Sequence, residues 1–139
     1  IVVDLLTEYA LPTANGLVKL RIVGGLLGHW AYWTRQAVMI LERCRDLVGQ
    51  PIPADLLTLA AQVTDANGAV FDAAHDFAGV IPGVNEILRR QGLMESALSL
   101  KTEETFSLGQ LEEIDRVARA YPHLNDDEFV REHLHEWLS

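Results

Sequence analysis

The stretch Val18–Trp33 reads Val-Lys-Leu-Arg-Ile-Val-Gly-Gly-Leu-Leu-Gly-His-Trp-Ala-Tyr-Trp, and it constrains the rest of the chain more than any other. Its first third is rich in β-branched and apolar residues (Val18, Leu20, Ile22, Val23), which predicts a strand over Val18–Val23. Gly24 and Gly25 break that strand, and helical spacing then runs from Leu26 or Leu27 to about Val48. A strand that turns through glycines into a helix is half of a βα unit. Two readings of the glycine pair stand side by side. One is a tight turn that needs positive φ. The other is a backbone opening where amides approach a bound group near a helix N-terminus. A lone strand cannot pair its own edges, so Val18–Val23 is expected to pair with segments outside this sequence.

Composition narrows the function classes. The chain has 139 residues, 49% of them apolar, enough for one domain with a core and too apolar for a disordered chain. Its net charge of −9 excludes a basic stripe for nucleic acid, so no nucleic-acid partner is expected. No apolar run reaches membrane-spanning length, and no membrane partner is expected either. Only Lys19 and Lys101 carry amines, which limits any chemistry built on a lysine. The single cysteine, Cys44, excludes an internal disulfide and fits a reducing cytoplasm. Flanked by Arg43 and Arg45 on an apolar helix, it reads as a packing residue. The chain opens at Ile1, inside an amphipathic pattern without a cap, as the later part of something longer would.

In order along the chain, Ile1–Ala10 is expected as a short helix, and Leu11–Gly16 as a turn. The aromatic group His29, Trp30, Tyr32 and Trp33 packs the start of the next helix and lies beside the glycine turn. Gly49–Pro53 is the next break, with Pro53 at the first turn of a helix whose apolar stripe runs from Leu56 to Phe77. Asp72, His75 and Asp76 share its polar side and read as a solvated face rather than a metal site. Ala78–Gly83 makes a corner, and Val84–Gln91 a short helix closed by Gly92. Met94–Phe106 is irregular. Ser107 and Gln110 have the spacing of a capping box for a helix ending at Pro122, and Asn125–Glu128 caps a last one. His133 and His135, two apart, fall on different helix faces and are no zinc pair.

From Thr64 through Asp-Ala-Asn-Gly-Ala-Val-Phe-Asp-Ala-Ala-His-Asp-Phe-Ala to Gly79, and from Ile81 through Pro-Gly-Val-Asn-Glu-Ile-Leu-Arg-Arg-Gln-Gly to Leu93, the chain resembles the dihydrodipicolinate synthase / N-acetylneuraminate lyase family. Ser107–Val117, Ala120–Asp127 and Asp4-Leu5-Leu6 ahead of the strand carry the same likeness. The motifs are helix-packing and surface signatures rather than catalytic ones.

The resemblance implies a mainly α chain that forms the end of a (β/α)₈ barrel plus a helical extension. Residues 1–50 would supply helix seven, strand eight and helix eight of the barrel, and residues 51–139 the extension. It implies class I aldolase-type lyase chemistry on pyruvate or a related 2-oxo acid, with no cofactor. The Schiff-base lysine and the proton-moving tyrosine would lie upstream of Ile1, so the chain itself would hold no catalytic residue. Lys19 sits at the wrong end of its strand for that role, since barrel sites lie at the strands' carboxyl ends. The implied substrate-binding residues are Gly24, Gly25, Leu26 and His29. The implied partners are the N-terminal part of the same barrel and further copies of the subunit. The alternative is a self-contained α-helical module that binds a protein and catalyses nothing, supported by the helix content and the stripe at Leu56–Phe77.

Overall fold

The computed structural model describes every residue except Leu27. The chain is mainly α, as the periodicity predicts. Six α-helices follow one another: α1 (Val2–Leu6), α2 (Thr34–Asp46), α3 (Asp55–Val70), α4 (Val80–Arg90), α5 (Gln110–Ala120) and α6 (Asp127–Trp137). Between α1 and α2 lie two strands, β1 (Glu8–Thr13) and β2 (Gly16–Arg21).

The strands correct two expectations. The helix expected over Ile1–Ala10 stops at Leu6, where Thr7 turns extended (φ −85, ψ 132) and its hydroxyl donates to the Val3 carbonyl at 2.6 Å. From Glu8 the chain pairs as a strand with Gly16–Arg21, and Pro12, with no N–H to donate, disfavours continuing the helix. β1 pairs antiparallel with β2 from Glu8↔Arg21 to Thr13↔Gly16 across a two-residue loop. Gly16 takes the positive φ (112°) that the loop requires, and Thr13 Oγ1 donates to the Gly16 carbonyl. The strand expected at Val18–Val23 therefore starts two residues earlier and finds its partner inside the chain. Ile22 and Val23 fall beyond the ladder because the next residue opposite, Thr7, is already turned back onto α1.

The expected βα unit is a hairpin instead. The helix foreseen from Leu26 begins as α2 only at Thr34, after a 3₁₀ turn at Gly28–Trp30; Leu27, its other foreseen start, lies outside the described residues. Trp33 interrupts the winding with left-handed φ (49°), which lets Tyr32 and Trp33 both turn into the core.

One core runs through the helical body, from Val2 and Leu5 in α1 through Ile40 and Cys44 in α2, Val63 and Val70 in α3 and Ile87 in α4 to Ile114, Val117 and Leu124. Residues from both sides of Gln50 take part in it. Cys44 is buried there, and burial pushes its thiol up, which suits packing and not reactivity. Two carboxylate clusters clamp α5 against its neighbours. Asp65 of α3 takes both arms of Arg116 at 2.8 Å and the Tyr121 hydroxyl at 2.7 Å. Glu86 of α4, itself buried, is gripped by Arg89 and Arg90, and Arg90 reaches on to Asp115 at 2.6 Å.

The helix expected from Leu56 to Phe77 ends at Val70, since Asp72, Asp76 and Phe77 all adopt left-handed φ. Ile81, Pro82 and Gly83, foreseen in a corner, belong to the first turn of α4. Pro82 suits that position because its missing N–H would have no helical partner. Gly83 is there for close approach. A Cβ at that residue would collide with the Val70 backbone carbonyl and sit 2.7 Å from Gln110 Nε2. Gly92 closes α4 with φ 80°, as expected of a C′ glycine.

Gly83→Ala must therefore push α4 away from the end of α3. We expect it to cost about 1–3 kcal/mol, the range for overpacking, read as a lowered urea midpoint. Gly68→Ala, with open space at its Cβ, should not destabilise.

Candidate functional site

The site residues indicated by sequence lie on the connection that leaves β2. This connection is anchored at both ends. Arg45, near the end of α2, donates to the Val23 carbonyl at 3.1 Å, and the Trp30 ring lies against Gly25. Gly24 and Gly25 do not adopt positive φ, so the tight-turn reading of the pair is corrected. Space explains Gly25 better: a Cβ there would stand 2.8 Å from Trp30 Cζ3. Gly24 has open space around it. Leu26 is 91% exposed, whereas His29 is 1% exposed and turned into the core. The structure thus keeps the four residues on one short segment without gathering them around one cavity.

His29 is the chemically unusual member of the four. Its ring packs edge-on to Tyr32 and Trp33, at centroid distances of 5.4 and 6.1 Å. Among the described residues, neither ring nitrogen has a hydrogen-bond partner. Burial pulls its pKa down from the ordinary 6.5 to about 4, so the imidazole is held neutral. Tyr32 beside it resolves its own polarity by donating to Asn67 Oδ1 at 2.8 Å. The aromatic block is therefore a packing unit with one unsatisfied ring, and no signal in the sequence separates His29 from its neighbours on that point.

A second polar centre lies just past the C-terminal end of α3, the same end that Tyr32 reaches through Asn67 and Phe71, and sequence reasoning located its members separately. Asp72 is buried and accepts three hydrogen bonds: from Ser107 Oγ at 2.5 Å, from His75 Nδ1 at 2.6 Å and from the Gly79 N–H at 2.9 Å. Burial raises the Asp72 pKa, but these donors outweigh it and hold the carboxyl below its usual range. Gln110, also buried, accepts from the Ser107 N–H and donates to the Val70 and Gly79 carbonyls at 3.2 and 2.8 Å. Half of the expected capping box is present: Gln110 reaches back to Ser107, while the serine hydroxyl turns away to Asp72 instead of capping α5. Asp72 stands between Ser107 and His75, so the imidazole does not touch the hydroxyl and the trio lacks the order of a nucleophilic triad. What it does is join three helix ends.

Among the described residues, no group of three or more His, Cys, Asp or Glu is placed to hold a metal ion. His133 and His135 do not converge; His133 stacks on Trp137 at 5.5 Å. Neither lysine has the burial of a Schiff-base amine. Lys19 is an exposed ammonium paired with Glu8 at 2.7 Å, and Lys101 pairs loosely with Glu104 at 3.6 Å. No helix among the described residues is long and apolar enough to cross a membrane.

The polarity of the hairpin is the functional feature that the sequence did not reveal. Cross-strand partners share a face. One face carries Glu8, Lys19 and Arg21, joined by ion pairs. The other carries Tyr9, Leu11, Val18 and Leu20, the last three between 42% and 50% exposed. Its signal was the short turn Ala14-Asn15-Gly16 between Glu8–Thr13 and the β-rich stretch after it, which the helical spacing of Val2, Leu5 and Tyr9 masked.

Two tests follow from the titrating groups. His29→Leu removes a buried ring whose nitrogens are unpaired, so it should leave stability at pH 7 equal or up to about 1 kcal/mol higher. With its folded pKa depressed, His29 contributes stability present above pH 6.5 and lost as pH falls towards 4. That part of the acid decline should vanish in His29→Leu. Asp65 and Glu86 are held at about 2, Asp65 by Arg116 and then Tyr121, Glu86 by Arg89 and then Arg90 against the opposing effect of burial. Their contribution should be lost between about pH 4.5 and 2 in both proteins, measured by thermal melts across pH.

Comparison of the chain with known protein families, with curated proteins and with solved structures finds no match.

Proposed function

We propose that this chain is the C-terminal portion of a class I aldolase-type lyase of the dihydrodipicolinate synthase-like kind, acting in the cytoplasm on pyruvate or a related 2-oxo acid. The Schiff-base lysine is supplied by residues upstream of Ile1. The observation that carries the reading is the hairpin. The helical body closes a continuous core of its own, whereas β1–β2 leaves Leu11, Val18 and Leu20 uncovered on one face, with Ile22, Val23 and Leu26 uncovered in the stretch that follows. Two strands with open edges and a bare apolar face are what the last strand of a barrel becomes without its neighbours. The motifs from Thr64 to Leu93 and from Ser107 to Asp127 support the same family.

The reading has a structural requirement. A (β/α)₈ strand pairs in parallel with a neighbour on each side. The antiparallel β1–β2 ladder must then give way when the upstream barrel is present, and Glu8–Leu11 must join the helix that precedes strand eight. The body that carries α3–α6 needs no such change. In the assembled enzyme Gly24 and Gly25 would lie on the catalytic rim, with Leu26 and His29 against the substrate pocket, and copies of the subunit would associate through the helices.

Borohydride reduction with pyruvate tests the assignment. The isolated chain should form no adduct at Lys19 or Lys101, detected by intact mass. The protein extended upstream through a complete barrel should gain one reduced pyruvate on an upstream lysine. An adduct on Lys19 of the isolated chain, or none on the extended protein, overturns the reading. In the extended enzyme, Gly25→Val should lower kcat/KM at least tenfold while the protein remains folded. In the isolated chain the same change only displaces the Trp30 ring and should cost stability.

A further inference from the structure

We propose that the groove between α2, the end of α4 and α6 is a binding site for a monocarboxylate with an apolar body, seated by Arg35. The groove holds a volume of about 660 Å³, in the range of small-molecule sites. Among the described residues it shares no lining residue with Gly24, Gly25, Leu26 or His29, so the inference is independent of the lyase reading.

The floor of the groove is polar but closed. Asp126 is buried; one of its oxygens accepts the Arg35 N–H at 2.9 Å and the other accepts Gln91 Nε2 at 2.7 Å. Gln91 also donates to Asp127 at 2.9 Å. The Asp126 carboxylate is thereby tied to the start of α2 and to Gln91. The walls are apolar: Val38 and Met39 from α2, Leu93 after α4, Phe129 and Trp137 from α6, with Val38, Met39 and Trp137 about half exposed.

Arg35 supplies the charge. Its guanidinium lies 4.3 Å from the centre of the Phe129 ring, which fixes it at the mouth of the groove. Among the described residues it has no carboxylate partner. Lys19, Arg21, Arg43, Arg89, Arg90, Lys101, Arg116 and Arg131 all have one. In a chain with nine more acidic than basic residues, a positioned and unpaired guanidinium beside an apolar wall is complementary to a carboxylate carried on an apolar body. The positive dipole end of α2 is already taken by Asp126, so the attraction for a ligand rests on the Arg35 guanidinium.

The other end sets the selectivity. Glu42 lies on the same groove, two turns and about 10 Å further along α2. It disfavours a second carboxylate at that distance, so the site takes one negative charge and not two.

Calorimetry of the chain at low ionic strength, with the Trp137 indole N–H followed by NMR, tests this. Phenylbutyrate should bind one-to-one and shift the Trp137 and Arg35 signals. Phenylbutanol, with the same body and no charge, should bind at least tenfold more weakly. Decanoate should bind better than sebacate, its dicarboxylate of equal length. Arg35→Met should weaken phenylbutyrate about tenfold, and Arg35→Lys should restore part of that loss. Equal affinity for the acid and the alcohol overturns the proposal, and so does the absence of a saturable Trp137 shift. Should Arg35→Met fail to fold, the acid–alcohol and mono–dicarboxylate comparisons decide the matter on the unaltered chain.

Discussion

The arrangement of the helices depends on one buried carboxylate. Asp72 collects a serine hydroxyl, an imidazole N–H and a backbone N–H, and so fixes where α3 stops, where α4 starts and how α5 arrives. Gln110 completes the junction by satisfying the Val70 and Gly79 carbonyls, which the helix end and the turn leave without partners. In a region of low dielectric such a network is stiff, because breaking any bond leaves its other members unpaired and buried. The left-handed φ values of Asp72, Asp76 and Phe77 are what the backbone gives up for this. Asp126 plays the matching part at the far end of the body, tying the first turn of α2 to the last turn of α4.

These two junctions make the helical body self-sufficient, and the hairpin is not part of that bargain. Its charges pair among themselves on one face, and its apolar side chains meet no cover on the other. The boundary between satisfied and unsatisfied structure runs through the connection Ile22–Trp30. There the Leu26 side chain is almost wholly exposed, and His29, three residues on, is a buried ring without a hydrogen bond among the described residues.

The sequence made the helices legible wherever apolar spacing and punctuation agreed. Gly92 after α4, Pro53 before α3 and the irregular stretch Met94–Phe106 all stand as their residues suggest. It misled where two periodicities overlapped. Val2, Leu5, Leu6 and Tyr9 fit a helix, yet Glu8–Thr13 fits a strand equally well, and only the partner at Gly16–Arg21 decides between them. Tertiary contacts were beyond it. Ser107 looks like a cap for its own helix until Asp72, thirty-five residues earlier, takes its hydroxyl. Gly83 looks like a corner residue until the Val70 carbonyl is seen against it. The four candidate site residues share one segment, but local pattern carries no information on whether a side chain turns outward, like Leu26, or inward, like His29.

The uncovered face of the hairpin also bears on the order in which the molecule is made. During synthesis Glu8–Leu26 leaves the ribosome before any residue of α2–α6. For that interval none of the helices α2–α6 is there to shield its apolar side chains. If strands already made upstream receive them at once, the ribbon never exists as such, and the helices close over a finished sheet. If those strands are late or missing, the ribbon forms instead and remains open at both edges, where further chains can add to it. Pro12, which has no N–H to offer, blunts one position of such an edge. The fate of the whole molecule then turns on a kinetic competition that lasts as long as translation of the helical body.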